Sequence, residues 1–266
     1  MTEDPIVIDD LIILGRSVPV EIRNGRRPIC VGGYSPTIGF VRLYPTFWQF
    51  NIRRWSIVEV EVERPRKPRH DSRIESWKIR GDRQSPHALL ENIRVIDRLP
   101  REEWPKLLER IVDPCVNTII EQNRSLGLVK PTINKCYFAD NEAYKNYRRM
   151  TLDGSFQVKE KNEFEYEPRI NFSCPDCTTK QGHHDHQLLE WGAYEWMRKK
   201  PRQIDQLWEN LQLENPNWEK YFLVGNQILY PKSFMVICAL RFKKSLSPRA
   251  QLVIFLLSLF CRPPWL

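Results

Sequence analysis

The pattern of apolar and polar positions divides the chain into a strand-rich first third, a helical middle and a mixed remainder. Residues 17–63 read as β. Within them, residues 57–63 run Ile-Val-Glu-Val-Glu-Val-Glu, the alternation of a strand with one buried and one wet face. Residues 18–23 and 26–31 flank Asn24-Gly25, a pair that tolerates the positive φ angles of a tight hairpin turn. Gly32-Gly33 and Ser35-Pro36 make a second break, and residues 40–44 form a further strand that Pro45 ends. Short strands at this spacing predict a small barrel or curled sheet. Residues 64–83, rich in Pro, Arg and Lys, read as a loop or exposed arm.

Residues 100–123 carry Leu107, Leu108, Ile111, Val112, Cys115, Val116, Ile119 and Ile120. That rhythm buries one face of a helix, which Pro114 should kink. Residues 125–131 start an extended segment, and residues 141–150 form a short polar helix. Beyond a soft boundary at Asp153-Gly154, residues 164–174 read as a strand, 185–200 as an aromatic helix and 204–213 as another. Residues 220–224 and 234–242 are further strands. The expectation is an α+β fold with a small N-terminal barrel or curled sheet, a helical middle and a mixed C-terminal half. Residues 1–153 make a basic β-rich region with a helical extension, and 154–266 a mixed region.

Composition narrows the functional classes. The 266 residues are 41% hydrophobic and include nine Trp, enough for a packed core and too much for a wholly disordered chain. Lys and Arg number 41 against 33 Asp and Glu, a net charge of +8. A basic surface attracts phosphates by releasing their counterions, or simply keeps a protein soluble. No secretory signal opens the sequence, so a cytoplasmic location is expected, and its seven Cys read as thiols or metal ligands. The apolar run at 252–260 is about half of a ~20-residue membrane span. It reads as a buried final element, a membrane-surface or protein-partner contact, or an out-of-frame end; nothing else points to a membrane.

The sharpest chemical constellation is Cys174-Pro175-Asp176-Cys177 followed by His183, His184 and His186. Four of these five side chains could meet one zinc, which takes four N or S ligands in a tetrahedron and here would form a zinc knuckle. The alternative is two reduced thiols beside a polar loop. No His-x-Glu occurs, which excludes a deaminase zinc site. His186 and Glu190 would share one helix face. Arg64, Arg66, Lys67, Arg69 and Arg73 form a cationic run suited to phosphate contacts, with Arg42, Tyr44 and Lys232 as further candidate nucleic-acid contacts. Asp71, Glu75, His184, Glu190 and Asn226 are the polar groups that could act on a glycosidic or phosphodiester bond. The carboxylates serve equally as surface charge. No Walker loop, Gly-x-Gly-x-x-Gly or Gly-x-Ser-x-Gly is present.

Ser17-Val18-Pro19, Cys30-Val31-Gly32-Gly33 and Gly39-Phe40-Val41-Arg42-Leu43-Tyr44-Pro45 resemble the start of a family of uncharacterised prokaryotic proteins with an OB-like small barrel. The Cys/His cluster with Glu190-Trp191, and Gly225-Asn226 with Pro231-Lys232-Ser233-Phe234, extend the likeness to about Lys243. The resemblance implies an association with mobile elements and phage defence and carries no established activity. An OB-like barrel favours single-stranded or distorted nucleic acid. The reading is a nucleic-acid-binding protein, DNA favoured, with a zinc-stabilised C-terminal half. The alternatives are a DNA-processing hydrolase, such as a base-excising glycosylase or a nuclease, and a protein-interaction adaptor.

Overall fold

The computed structural model describes residues 6–21, 26–47, 49–65, 71, 73–81, 89–145 and 159–244. Strands β1 (Ile6–Arg16), β2 (Ile29–Ser35), β3 (Gly39–Thr46), β4 (Ser56–Glu63) and β5 (Ser76–Ile79) form a closed five-stranded barrel. The order is β1-β2-β3-β5-β4-β1, with β3–β5 the one parallel pairing in the ring. Strand β6 (Ile93–Arg98) takes the remaining length of the β4 edge that β5 leaves open.

Pleat alternation builds the barrel core as expected on β4. Val58, Val60 and Val62 point inward, each contributing about 1.5–3 kcal/mol by burial. Glu59 and Glu61 stay on the wet face and pair with Arg94 at 3.0 Å and Arg80 at 3.3 Å. Two barrel strands were hidden from the pattern. In β1, Asp9-Asp10 interrupts the apolar run, and the pairing with β4 shifts register between Ile8 and Leu11 to absorb them. Asp10 then accepts hydrogen bonds from the Ser35 hydroxyl and from Thr37 N (3.0 Å) and Oγ1 (2.7 Å), fixing the β2–β3 turn. Strand β5 lies inside the segment read as an arm, yet its Trp77 and Ile79 join the barrel core.

The middle of the chain is less helical than expected. At Pro114 the predicted helix breaks outright into α1 (Trp104–Ile111) and α2 (Val116–Glu121), because proline has no N–H to carry the ladder through. After β7 (Leu126–Val129) and β8 (Thr132–Asp140) comes the four-residue α3 (Glu142–Lys145). Then follow β9 (Tyr166–Ser173), β10 (His184–Gln187), α4 (Trp191–Lys199), α5 (Gln206–Leu211), β11 (Trp218–Gln227) and β12 (Tyr230–Lys243). Residues 185–187 were expected to begin α4; they belong instead to β10, which pairs with β9 from His184 opposite Phe172 to Gln187 opposite Arg169. The Asn24-Gly25 turn, the boundary at Asp153-Gly154 and the apolar run at 252–260 lie outside the described residues.

Two three-stranded antiparallel sheets, β10-β9-β8 and β12-β11-β7, complete the mixed α+β fold. The second sheet packs on the barrel. Ile12 and Leu14 of β1 face Leu126, Leu128, Leu223, Ile237 and Leu240, while their neighbours Leu11 and Ile13 fill the barrel, so β1 is buried on both sides. Close approach needs glycine at Gly32, where a Cβ would come within 2.5 Å of the Leu223 side chain. No helix among the described residues is long and apolar enough to cross a membrane.

Candidate nucleic-acid interface and metal cluster

A cavity of about 230 Å³ opens where the barrel meets the second sheet. Its walls come from β2 (Cys30), β3 (Arg42, Tyr44), the segments between β1 and β2 (Val20, Pro28) and between β4 and β5 (Arg73), and the β11–β12 hairpin (Gly225 to Leu229). Four candidates distant in sequence therefore meet here: Arg42, Tyr44, Arg73 and Asn226.

Arg42 is buried, with 3% of its surface exposed, and among the described residues it has no carboxylate within ion-pair distance. Its Nη2 donates to Ser125 O at 2.5 Å and its Nη1 lies 3.4 Å from Cys30 Sγ; Nε has no partner among the described residues. Burial lowers its pKa, but a guanidinium remains charged. Glu75 acts one step removed, accepting from Ser125 N at 3.0 Å and Ser125 Oγ at 2.6 Å. Gly225 is required beside this group: a Cβ there would sit 2.9 Å from Arg42 Nη2.

Arg73 is gripped by Asp71 through Nε at 2.7 Å and a second short contact at Nη2, and its Nη1 donates to Asn226 O at 2.7 Å. Its guanidinium carbon lies 5.9 Å from the centre of the Tyr44 ring. Burial alone would raise the Asp71 pKa. Hydrogen bonds and charge from Arg73, with a bond from Ser76, outweigh it and hold the carboxyl below its ordinary range. Asn226 is itself buried; its Nδ2 donates to Pro231 O at 2.7 Å and its Oδ1 has no partner among the described residues.

The remaining candidates fall elsewhere. Arg64 lies against Trp77, its guanidinium 3.6 Å from the ring centre, and donates to Ile74 O. Lys232 is exposed on a neighbouring open cavity of about 820 Å³. Glu190 starts α4 and accepts from Ala239 N at 2.8 Å and Arg54 Nη2 at 3.2 Å, tying the segment before β4 to β12. His186, on β10, shares no helix face with it. Arg66, Lys67 and Arg69 lie outside the described residues.

The Cys/His constellation gathers differently from its sequence order. Cys115, Cys174 and His184 are buried, with their ligand atoms all within 4.8 Å of one another, and this cluster could hold a metal ion. Cys115 Sγ lies 3.3 Å from His184 Nε2, and Cys177 Sγ lies 3.5 Å from the same nitrogen. Burial pushes the Cys174 thiol up to about 12, with Cys115 adding to it, so a metal would have to displace that proton. Burial, then the neighbouring His183, lowers the His184 pKa and keeps it neutral, the form that ligates. His183 and His186 stand apart, their Nδ1 atoms paired with Gln181 O and Asp185 O. Cys115 was read only as part of a helix's apolar face. Its signal was the adjacent Pro114, which ends the helix and turns the thiol toward the β9–β10 hairpin.

The fold and these sites define a small-barrel α+β protein with a cationic, aromatic cavity on the barrel and a buried thiol–imidazole cluster behind it. A family model described as a domain of unknown function (DUF8758) matches residues 8–112, which covers nearly all of the barrel and α1. No curated protein matches the chain. Among solved structures it is similar to a murine DNA-binding protein bound with double-stranded DNA, at 10% identity and a TM-score of 0.30, over 91% of this chain and 100% of that one. These comparisons carry neither a prokaryotic origin nor a role in phage defence.

Proposed function

We propose that the protein binds nucleic acid, DNA favoured, on the β2–β3 face of its barrel, and that zinc braces its second half. The observation that carries this reading is the meeting of Arg42, Tyr44, Arg73 and Asn226 around one cavity on that face. The strand order with its parallel β3–β5 closure is that of an OB-like barrel. Such barrels bind oligonucleotides on the β2–β3 face and the loops joining β1–β2 and β4–β5, the segments that line this cavity. Arg42 supplies positive charge with no direct carboxylate pair among the described residues, and Tyr44 a stacking surface.

Cys115, Cys174, Cys177 and His184 would hold the zinc. A tetrahedron with ~2.3 Å Zn–S and ~2.0–2.1 Å Zn–N bonds separates sulfur from nitrogen by roughly 3.5 Å. The Cys115–His184 and Cys177–His184 separations of 3.3 and 3.5 Å match that spacing. Bound there, the metal joins the break between α1 and α2 to the β9–β10 hairpin and acts as a brace.

The test of the binding face is fluorescence anisotropy of a labelled single-stranded DNA with the wild type and Tyr44→Ala. Loss of one stacking partner should weaken binding about 5- to 150-fold, the equivalent of ~1–3 kcal/mol, measured at a temperature where both proteins are folded. Equal affinities in two folded proteins would move the binding face elsewhere.

A further inference from the structure

We propose that the β11–β12 hairpin is a wedge and that the cavity behind it receives one nucleotide turned out of its base stack. This inference rests on the nucleic-acid reading above and names its substrate: DNA that is locally unpaired or easily unpaired.

The hairpin tip is chemically unusual. Turns favour Gly, Asn, Asp and Ser, yet this one presents Ile228, Leu229 and Tyr230 in succession, exposed by 47%, 79% and 62%. Leu and Ile are among the side chains that architectural proteins insert between base steps. The base of the hairpin is braced for such a load. Asn226 N donates to Ser125 O at 3.1 Å, Asn226 Nδ2 closes onto Pro231 O, and Arg73 donates to Asn226 O from the barrel side. Leu229 borders both the 230 Å³ cavity and the open one that carries Lys232 and Arg169. A strand crossing the tip would thus have the cavity on one side and, on the other, Lys232 beside an Arg169 already paired with Glu167 and Asp185.

The cavity suits a base. Its volume lies below the ~300–1,000 Å³ of ordinary small-molecule pockets, enough for one planar ring system. Val20, Leu189, Met235 and Ile237 supply apolar walls beside the Tyr44 ring. Two lining residues carry buried polar atoms without partners among the described residues, a donor at Arg42 Nε and an acceptor at Asn226 Oδ1. Buried polar atoms are costly to leave unpaired, and a base edge offers both kinds of complement. The buried charge of Arg42, which has no direct ion pair among the described residues, favours the nucleotide's phosphate over a neutral ligand.

The test compares three labelled DNAs: a matched duplex, the same duplex with one central mismatch, and the single strand. Unstacking costs least at a mismatch, so the wild type should bind the mismatched duplex at least about tenfold more tightly than the matched one. Leu229→Ala, at a site exposed enough to spare the fold, should bring that ratio toward one. Wild-type protein with no mismatch preference overturns the wedge. So does a preference that survives Leu229→Ala, or a variant that weakens all three DNAs equally. A wild type that binds none of the three, even at low salt, overturns the nucleic-acid reading itself, and the apolar tip would then be a protein contact.

Discussion

Arg42 and Asp71 show how charge is arranged at the residue scale around the cavity. Arg42 reaches Glu75 only through Ser125, and among the described residues no carboxylate pairs with its guanidinium directly. Asp71, by contrast, is spent on Arg73 and Ser76 and serves to hold Arg73 against Asn226. Because the folded-state pKa of Asp71 is depressed, its stabilisation is complete above the unfolded value near ~3.9 and is lost as pH falls through the depressed one. Asp71→Asn should therefore cost about 1–2 kcal/mol at pH 7. In melting scans from neutral to acid pH, the gap from wild type should close below about pH 4. A gap that stayed constant into acid would mean the carboxylate is not ionised in the fold. Sequence supplied the names Arg42, Tyr44, Arg73 and Asn226 but not their grouping: Glu75 was a candidate catalyst, and nothing in the sequence marks the Ser125 that links it to Arg42.

At the scale of elements, proline placement and strand pairing account for what the pattern concealed. The alternation on β4 is legible because one face is wet; β5 is not, because four residues set among charged neighbours carry no period of their own and are fixed only by pairing with β3 and β4. Residues 185–187 read as the start of the helix that follows them, and pairing with β9 decides otherwise. The helix break at Pro114 has the largest consequence, since it brings Cys115 to His184. Wild-type protein should carry about one zinc per chain by elemental analysis. Cys115→Ser should lose most of it and melt at a clearly lower temperature, while His183→Ala should keep both. Retained metal in Cys115→Ser, or none in the wild type, would remove zinc from the account.

At the scale of the whole molecule, the second sheet converts one face of the barrel into a walled cavity. Neither part makes that site alone: β2, β3 and the segment before β5 bring Cys30, Arg42, Tyr44 and Arg73, and the β11–β12 hairpin brings Asn226 and Leu229. The small barrel and the mixed α+β class were readable from short strands and periodicity. The cavity was not, because it depends on residues about 150 positions apart, such as Arg73 and Asn226, which make contact only once the sheet has docked. The central claim is that this face carries nucleic acid. Its most direct test is the affinity of wild-type protein for single- and double-stranded DNA across a salt series. The account predicts tighter binding to the single strand and a log–log slope of roughly −2 or steeper, about three phosphate contacts at ~0.7 each. No binding by micromolar protein at low salt, or an affinity indifferent to salt, would contradict it.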